Sequence, residues 1–178
     1  MEPKFNEAAL TLANAIIARY PEGKHKSALI PILHLAQAEF EGWLSVPVMD
    51  YVASLLSIKP IEVYEVASFY SMFNLKPTGK CLIEVCHTSS CWLRGAEDII
   101  KHLEGKLNIK MGETTADGKF TLKRVECLGS CGTAPMFQVG AQFYENLTNE
   151  KVDKIIDGLA ASDNRPTYFD AADLVNYQ

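Results

Sequence analysis

A chain of 178 residues that is 48% hydrophobic and 22% charged can bury one large core or two small ones. Its apolar runs fall short of the roughly 18 residues that a helical bilayer span requires, which excludes direct membrane insertion. The net charge of −5 comes without a dense basic block, so nucleic-acid binding has no support.

The first part of the chain reads as helical. From Asn6 to Tyr20, Ala9, Leu10, Ala13, Ile16 and Ile17 recur near helical spacing, and Pro21-Glu22-Gly23 ends the run. Ser27 is placed to cap a second helix, with Pro31 tolerated near its first turn and a stripe of Leu29, Ile32, Leu33, Ala36 and Phe40 ending near Gly42. Ser45 is placed to cap a third, with Pro47 in its first turn and Val48, Val52, Leu55 and Leu56 inward. Pro60 opens a fourth, carrying Ile61, Val63, Val66, Ala67, Tyr70 and Phe73, which predicts burial on two sides.

Lys76-Pro77-Thr78-Gly79-Lys80 reads as a linker, and the period then changes. Cys81 to Val85 predicts a strand, Trp92 to Leu103 a helix closed by Gly105, and Asp117-Gly118 a tight turn. Phe120 to Val125 predicts a second strand. Met136 to Val139 and Gln142 to Tyr144 predict two short ones, and Thr148 caps a last helix carrying Val152, Ile155, Ile156 and Leu159. The order β-α-β-β-β-α predicts a mixed sheet flanked by helices, compatible with a thioredoxin-like core. The expected organisation is therefore α+β: a helical bundle over residues 1–79, a mixed-sheet domain over 80–161, and an extended tail over 162–178.

Four of the five cysteines stand in two close pairs, Cys86-x4-Cys91 and Cys127-x3-Cys131. The first pair lies between a strand end and a helix start, and the second lies in the loop after the Phe120 strand. Four thiolates from two loops suit a [2Fe–2S] cluster. Structural zinc also takes four cysteines, but its pairs are usually tighter knuckles. A disulfide framework is disfavoured by the odd count and by an N-terminus without a secretory signal, and no Cys-x-x-Cys supports a catalytic dithiol. The spacing favours the cluster and leaves zinc and unliganded thiols open. A cluster with four thiolates is anionic, so it calls for hydrogen-bond donors. Thr88, Ser89 and Ser90 are expected to supply them, and Gly129 and Gly132 to let the backbone approach the sulfurs. His87 is expected at the surface or behind the ligands, and Cys81 as a small core hydrophobe.

Longer runs carry a resemblance. They are Ser27-Ala28-Leu29-Ile30-Pro31 with His34-Leu35-Ala36-Gln37 and Gly42-Trp43-Leu44; Val63-Tyr64-Glu65-Val66-Ala67-Ser68-Phe69-Tyr70 with Phe73-Asn74-Leu75-Lys76-Pro77; Gly112-Glu113-Thr114-Thr115; and Glu126-Cys127-Leu128-Gly129-Ser130-Cys131-Gly132-Thr133-Ala134-Pro135-Met136. Over about residues 27 to 160 the chain resembles the 24 kDa-type [2Fe–2S] subunits of NADH:quinone oxidoreductase, respiratory complex I, in the thioredoxin-like ferredoxin family.

That resemblance implies an N-terminal helical domain, a thioredoxin-like domain, and one [2Fe–2S] cluster on Cys86, Cys91, Cys127 and Cys131. It implies an electron-transfer subunit, not catalytic alone, beside an FMN- and NADH-binding subunit of the 51 kDa type and further peripheral-arm subunits. In such complexes a hydride from NADH reduces the partner's FMN, and the cluster near the flavin holds one electron on a side branch. Related subunits serve NAD-reducing hydrogenases and NAD-dependent formate dehydrogenases. A zinc-stabilised thioredoxin-like interaction module is the alternative of another class. The N-terminus lacks an Arg-rich leader, which points to the cytoplasmic face of a bacterial inner membrane, reached through the complex. Ser130 stands where the family often has Ala, an expected extra hydroxyl donor to sulfur.

Overall fold

The computed structural model describes residues 3–167. The chain divides into two compact units, with the boundary between Pro77 and Thr78, inside the stretch read as a linker.

The first unit is built on four helices: α1 (Glu7–Ile17), α2 (Leu29–Glu39), α3 (Val46–Leu56) and α4 (Pro60–Phe69). The Asn6 side chain caps α1 by accepting from the Ala9 amide at 2.8 Å. The expected cap at Ser27 is replaced by a 3₁₀ turn, His25–Ala28, that runs directly into α2. The core gathers Ala13 and Ile16, Ile32, Leu33 and Ala36, Val52 and Leu56, and Val63 and Ala67, one stripe from each helix. α4 departs from expectation. It ends at Phe69, before Phe73, and buries only Val63 and Ala67, while Ile61 and Phe69 are exposed. A ten-residue helix with one narrow buried stripe leaves its other apolar groups outward, so burial on two sides does not hold within this chain.

The segment after α4 is held by polar groups. Buried Gln37 donates to the Met72 carbonyl at 3.0 Å and accepts from the Asn74 amide at 2.7 Å. Asn74 in turn donates to the Gly42 carbonyl at 3.1 Å and accepts from the Leu44 amide at 2.7 Å. Both faces of the buried amide are thereby satisfied. His34 packs on Phe73 with ring centroids 4.9 Å apart, and burial pushes it down to about 4.

The second unit has strands β1 (Cys81–Cys86), β2 (Phe120–Val125), β3 (Phe137–Val139) and β4 (Gln142–Tyr144), with helices α5 (Ser89–Leu93), α6 (Ala96–Leu107) and α7 (Asn149–Ala161). The sheet order is β2-β1-β3-β4. β1 and β2 run parallel, with Cys81 opposite Phe120 and Cys86 opposite Val125, and β3 and β4 join antiparallel. This is the mixed sheet expected of an α+β, thioredoxin-like core. Ile83 and Val85, Phe120 and Leu122, and Phe137 and Val139 pack on Ile99, Ile100 and Leu103 of α6 and on Val152 and Ile156 of α7. The His102 ring lies 2.9 Å from Asp153, and Lys106 meets Asp157 at 2.8 Å, tying the two helices.

The single helix expected from Trp92 to Leu103 is two. Gly95, at φ +92°, breaks it, because a left-handed residue cannot continue a right-handed helix. Gly105 does not close α6, which ends instead at Asn108 in the left-handed region. The start of the expected tail is placed against the sheet. The Thr167 carbonyl accepts from the Ala141 amide at 2.8 Å, and Arg165 donates to the Gly79 carbonyl at 3.1 Å. A Cβ at Gly140 would stand 2.7 Å from the Thr167 oxygen, so glycine is required there. The rest of that tail, from residue 168, lies outside the described residues.

Candidate metal centre

Parallel pairing makes β1 and β2 end on the same edge of the sheet, and antiparallel β3 begins there. Backbone hydrogen bonds fix the meeting point: the Cys86 amide donates to the Met136 carbonyl and the His87 amide to the Val125 carbonyl, each at 3.3 Å. Cys86 is the last residue of β1. Cys91 sits inside α5, whose first turn closes with the Trp92 amide on the Thr88 carbonyl at 2.8 Å. Cys127 lies in the loop after β2, and Cys131 opens the 3₁₀ turn Cys131–Thr133, which packs against α5. The sheet thus brings the two sequence-distant pairs to one edge.

The pairs differ in setting. Cys86 and Cys91 are each 2% exposed, among Ala96, Ala134 and Met136. Cys127 and Cys131 are exposed, with their sulfurs 3.4 Å apart. The Thr88 hydroxyl is 3.4 Å from the Cys86 sulfur, and the hydroxyls of Thr88 and Ser90 also favour the ionised forms of Cys127 and Cys131 respectively. Backbone amides complete the set. The Gly129 amide donates to Cys127 at 3.4 Å, and the amides of Thr88 and Leu128 toward Cys86 and of Met136 toward Cys91 favour the ionised sulfurs.

Burial alone would raise Cys86, but the Thr88, Cys91 and Leu128 hydrogen bonds outweigh it and bring that thiol down. Cys91, buried and donating to Cys86, is pushed up to about 11. The Gly129 amide and Cys131 draw Cys127 down, and Cys131 is pushed up by its bond to Cys127 and that neighbour's charge. Within each pair one sulfur is favoured as thiolate and its neighbour as thiol, and metal binding would require both to be deprotonated.

This donor set fits a [2Fe–2S] cluster. Four thiols stand as two pairs, and such a cluster takes two from each side. Among the described residues, no three His, Cys, Asp or Glu side chains converge as ligands of one ion.

Several expectations about the surroundings change. Thr88 and Ser90 reach sulfur, whereas Ser89 is exposed. Gly129 is required for its φ of +86°, not for close approach, and Gly132 has an ordinary φ with open space where a Cβ would go. The Ser130 hydroxyl turns away from sulfur. It donates to Glu145 and lies 2.7 Å from the Thr133 hydroxyl. The His87 ring lies 3.9 Å from Glu126. Cys81 sits at the far end of β1, buried in the main core, about 17 Å of strand from Cys86. The sulfur-facing amides of Leu128 and Met136, and the carboxylate of Glu145, have no signature in the sequence.

The profile of the thioredoxin-like [2Fe–2S] ferredoxin family matches residues 13–160. The chain is 52% identical over 155 residues to a subunit of the NADH-quinone oxidoreductase of Rickettsia conorii, covering 87% of this chain and 93% of that protein. It is 45% identical over 163 residues to the mitochondrial NADH dehydrogenase [ubiquinone] flavoprotein 2 of Dictyostelium discoideum, covering 92% of this chain and 65% of that protein. Among solved structures, an NAD+-reducing [NiFe]-hydrogenase in its H2-reduced state superposes with a TM-score of 0.66 at 22% identity, a likeness of fold. The match covers 75% of this chain and 22% of the hydrogenase chain. The length of the profile match and the identity to these relatives place the chain in the thioredoxin-like [2Fe–2S] ferredoxin family.

Proposed function

We propose that the chain is a one-electron carrier subunit of an NADH:quinone oxidoreductase, with one [2Fe–2S] cluster held by Cys86, Cys91, Cys127 and Cys131. The observation that carries this reading is the convergence of two thiol pairs at one sheet edge, where the turn that holds Cys131 packs against the helix that holds Cys91. The relatives that belong to NADH-quinone oxidoreductases supply the host complex. When bound, such a cluster takes up and gives back one electron at a time.

The chain's own groups do the rest. The inner thiols, backed by apolar side chains, keep water from one side. The amides of Thr88, Leu128, Gly129 and Met136 offset negative charge on sulfur. The outer thiols open to the surface beside Trp92 and Leu93, which are 60% and 74% exposed. That apolar surface next to the site suits a docked partner, here an FMN- and NADH-binding subunit. No helix of the described residues is long and apolar enough to cross a membrane, so association with a bacterial inner membrane would run through the complex.

Anaerobic purification from the native host tests this reading. Iron and sulfide near two each per chain, a rhombic EPR signal on reduction, and co-purifying flavin and quinone-reducing subunits are expected. Zinc in place of iron would overturn it. The same flavin subunit with a hydrogenase would move the cluster to the second reading, that of an NAD-reducing hydrogenase, a solved example of which shares this fold.

A further inference from the structure

The turn that carries Cys131 is fastened to the exit of β4. The Thr133 hydroxyl donates to Glu145 Oε1 at 2.5 Å, and the Ser130 hydroxyl donates to the same oxygen. The backbone adds two further ties, from the Asn146 amide to the Thr133 carbonyl at 2.7 Å and from the Leu147 amide to the Pro135 carbonyl at 3.0 Å. Asn146 takes a left-handed φ of +47° in making this connection, and Lys151 steadies it from α7 by donating to the Asn146 carbonyl at 2.9 Å.

An exposed glutamate is ordinarily a solvated surface charge. Glu145 instead collects, on one oxygen, both hydroxyls of a turn that holds a thiol of the site. Those hydroxyls are thereby committed to a carboxylate and not to sulfur. The two basic residues just before Cys127 in sequence are engaged elsewhere: Arg124 grips Glu97 at 2.8 and 3.0 Å, and Lys123 lies 3.4 Å from Glu84. The two hydroxyls hold the Glu145 carboxyl below the usual carboxylate range, so it is ionised at neutral pH.

We propose that Glu145 is a positioning residue of the outer thiol pair: it clamps the Cys131 turn through Ser130 and Thr133, and its negative charge lowers the reduction potential of the bound cluster. The inference rests on the cluster assignment above. A fixed negative charge near the site opposes an added electron, and donors diverted from sulfur do the same.

The test compares the unaltered complex with Glu145→Gln and Ser130→Ala/Thr133→Ala by EPR-monitored redox titration and by iron release to a chelator. Glu145→Gln keeps an acceptor oxygen but removes the charge. It is expected to favour reduction roughly fivefold, about +40 mV at 59 mV per tenfold for one electron. The shift should shrink at high salt, as an exposed charge is screened. Ser130→Ala/Thr133→Ala is expected to release iron at least about threefold faster. A Glu145→Gln potential within twofold of the unaltered equilibrium, or unchanged release in the double variant, overturns the inference. Should Glu145→Gln not retain a cluster, Glu145→Asp decides: a potential close to the unaltered one supports the charge role, and a raised one overturns it. Unaltered protein without iron would overturn the proposed function and this inference together, whereas a red-brown protein indifferent to Glu145 overturns this inference alone.

Discussion

The inner and outer thiol pairs are chemically identical and physically opposite. Cys86 and Cys91 stand on regular structure, the end of β1 and the short helix α5, and are buried among small apolar groups. Cys127 and Cys131 stand on a loop and a 3₁₀ turn, exposed and secured mainly by side-chain and loop hydrogen bonds. The inner pair is therefore part of the fold as well as part of the site, while the outer pair belongs to the site alone. Sulfur charge in the buried pair must be met by protein donors, because no solvent reaches it. The outer pair shares that task with water and is the side of the site open to the surface.

Substitutions can break or sharpen this contrast. The largest effect is expected from Cys86→Ser, which should abolish iron binding and also lower the stability of the metal-free chain by about 1–3 kcal/mol, since a hydroxyl replaces a buried thiol. Iron analysis and urea unfolding measure the two. Cys127→Ser should lose the iron as completely, yet keep metal-free stability within about 0.5 kcal/mol, because the position is exposed. Equal stability losses in the two variants would erase the distinction.

Next comes Gly129→Ala. Its φ of +86° costs a side-chain-bearing residue about 1–2 kcal/mol and displaces the amide that donates to Cys127. Faster loss of iron to a chelator is expected there and not in Gly132→Ala, where the backbone is ordinary and the space open. A smaller effect should follow Thr88→Val. This hydroxyl lies 3.4 Å from the Cys86 sulfur, so its loss should lower the potential by about one hydrogen bond, near 1 kcal/mol or roughly 40 mV. A rise on redox titration would contradict that role. Least of all, Cys81→Ser should leave the iron content unchanged. Iron loss in that variant would mean that the ligand set reaches beyond the two pairs.

The sequence made the mixed sheet legible because strand period, turn residues and the linker at Lys76–Lys80 agree with one another. It also drew attention to the two cysteine pairs, since paired spacing survives whatever the loops do. Other features depend on contacts that no local pattern encodes. The Gly95 break was visible only as a glycine in an otherwise helical run, a signal that fits a tolerated residue equally well. The early end of α4 follows from Gln37 on α2 and from Gly42 and Leu44 in the loop after it, which capture Met72 and Asn74 in the chain beyond Tyr70. The direction of the Ser130 hydroxyl is set by Glu145, far along the chain at the end of β4. The same holds for the Leu128 and Met136 amides, whose identity as donors belongs to the backbone and not to the side chain.

The parallel register of β1 against β2 has a consequence in time. Either thiol pair can form within its own short segment, but the two meet only when β1 and β2 align across the crossover that contains α5 and α6. Pairing across so long a connection belongs to the slow, non-local part of folding. A slip of one residue would carry the outer loop about 3.3 Å along the sheet, more than the length of a metal–sulfur bond. Loading of the site must therefore wait for the sheet to register, so delivery of iron and sulfide to a chain still emerging from the ribosome would find two half-sites and no place to close.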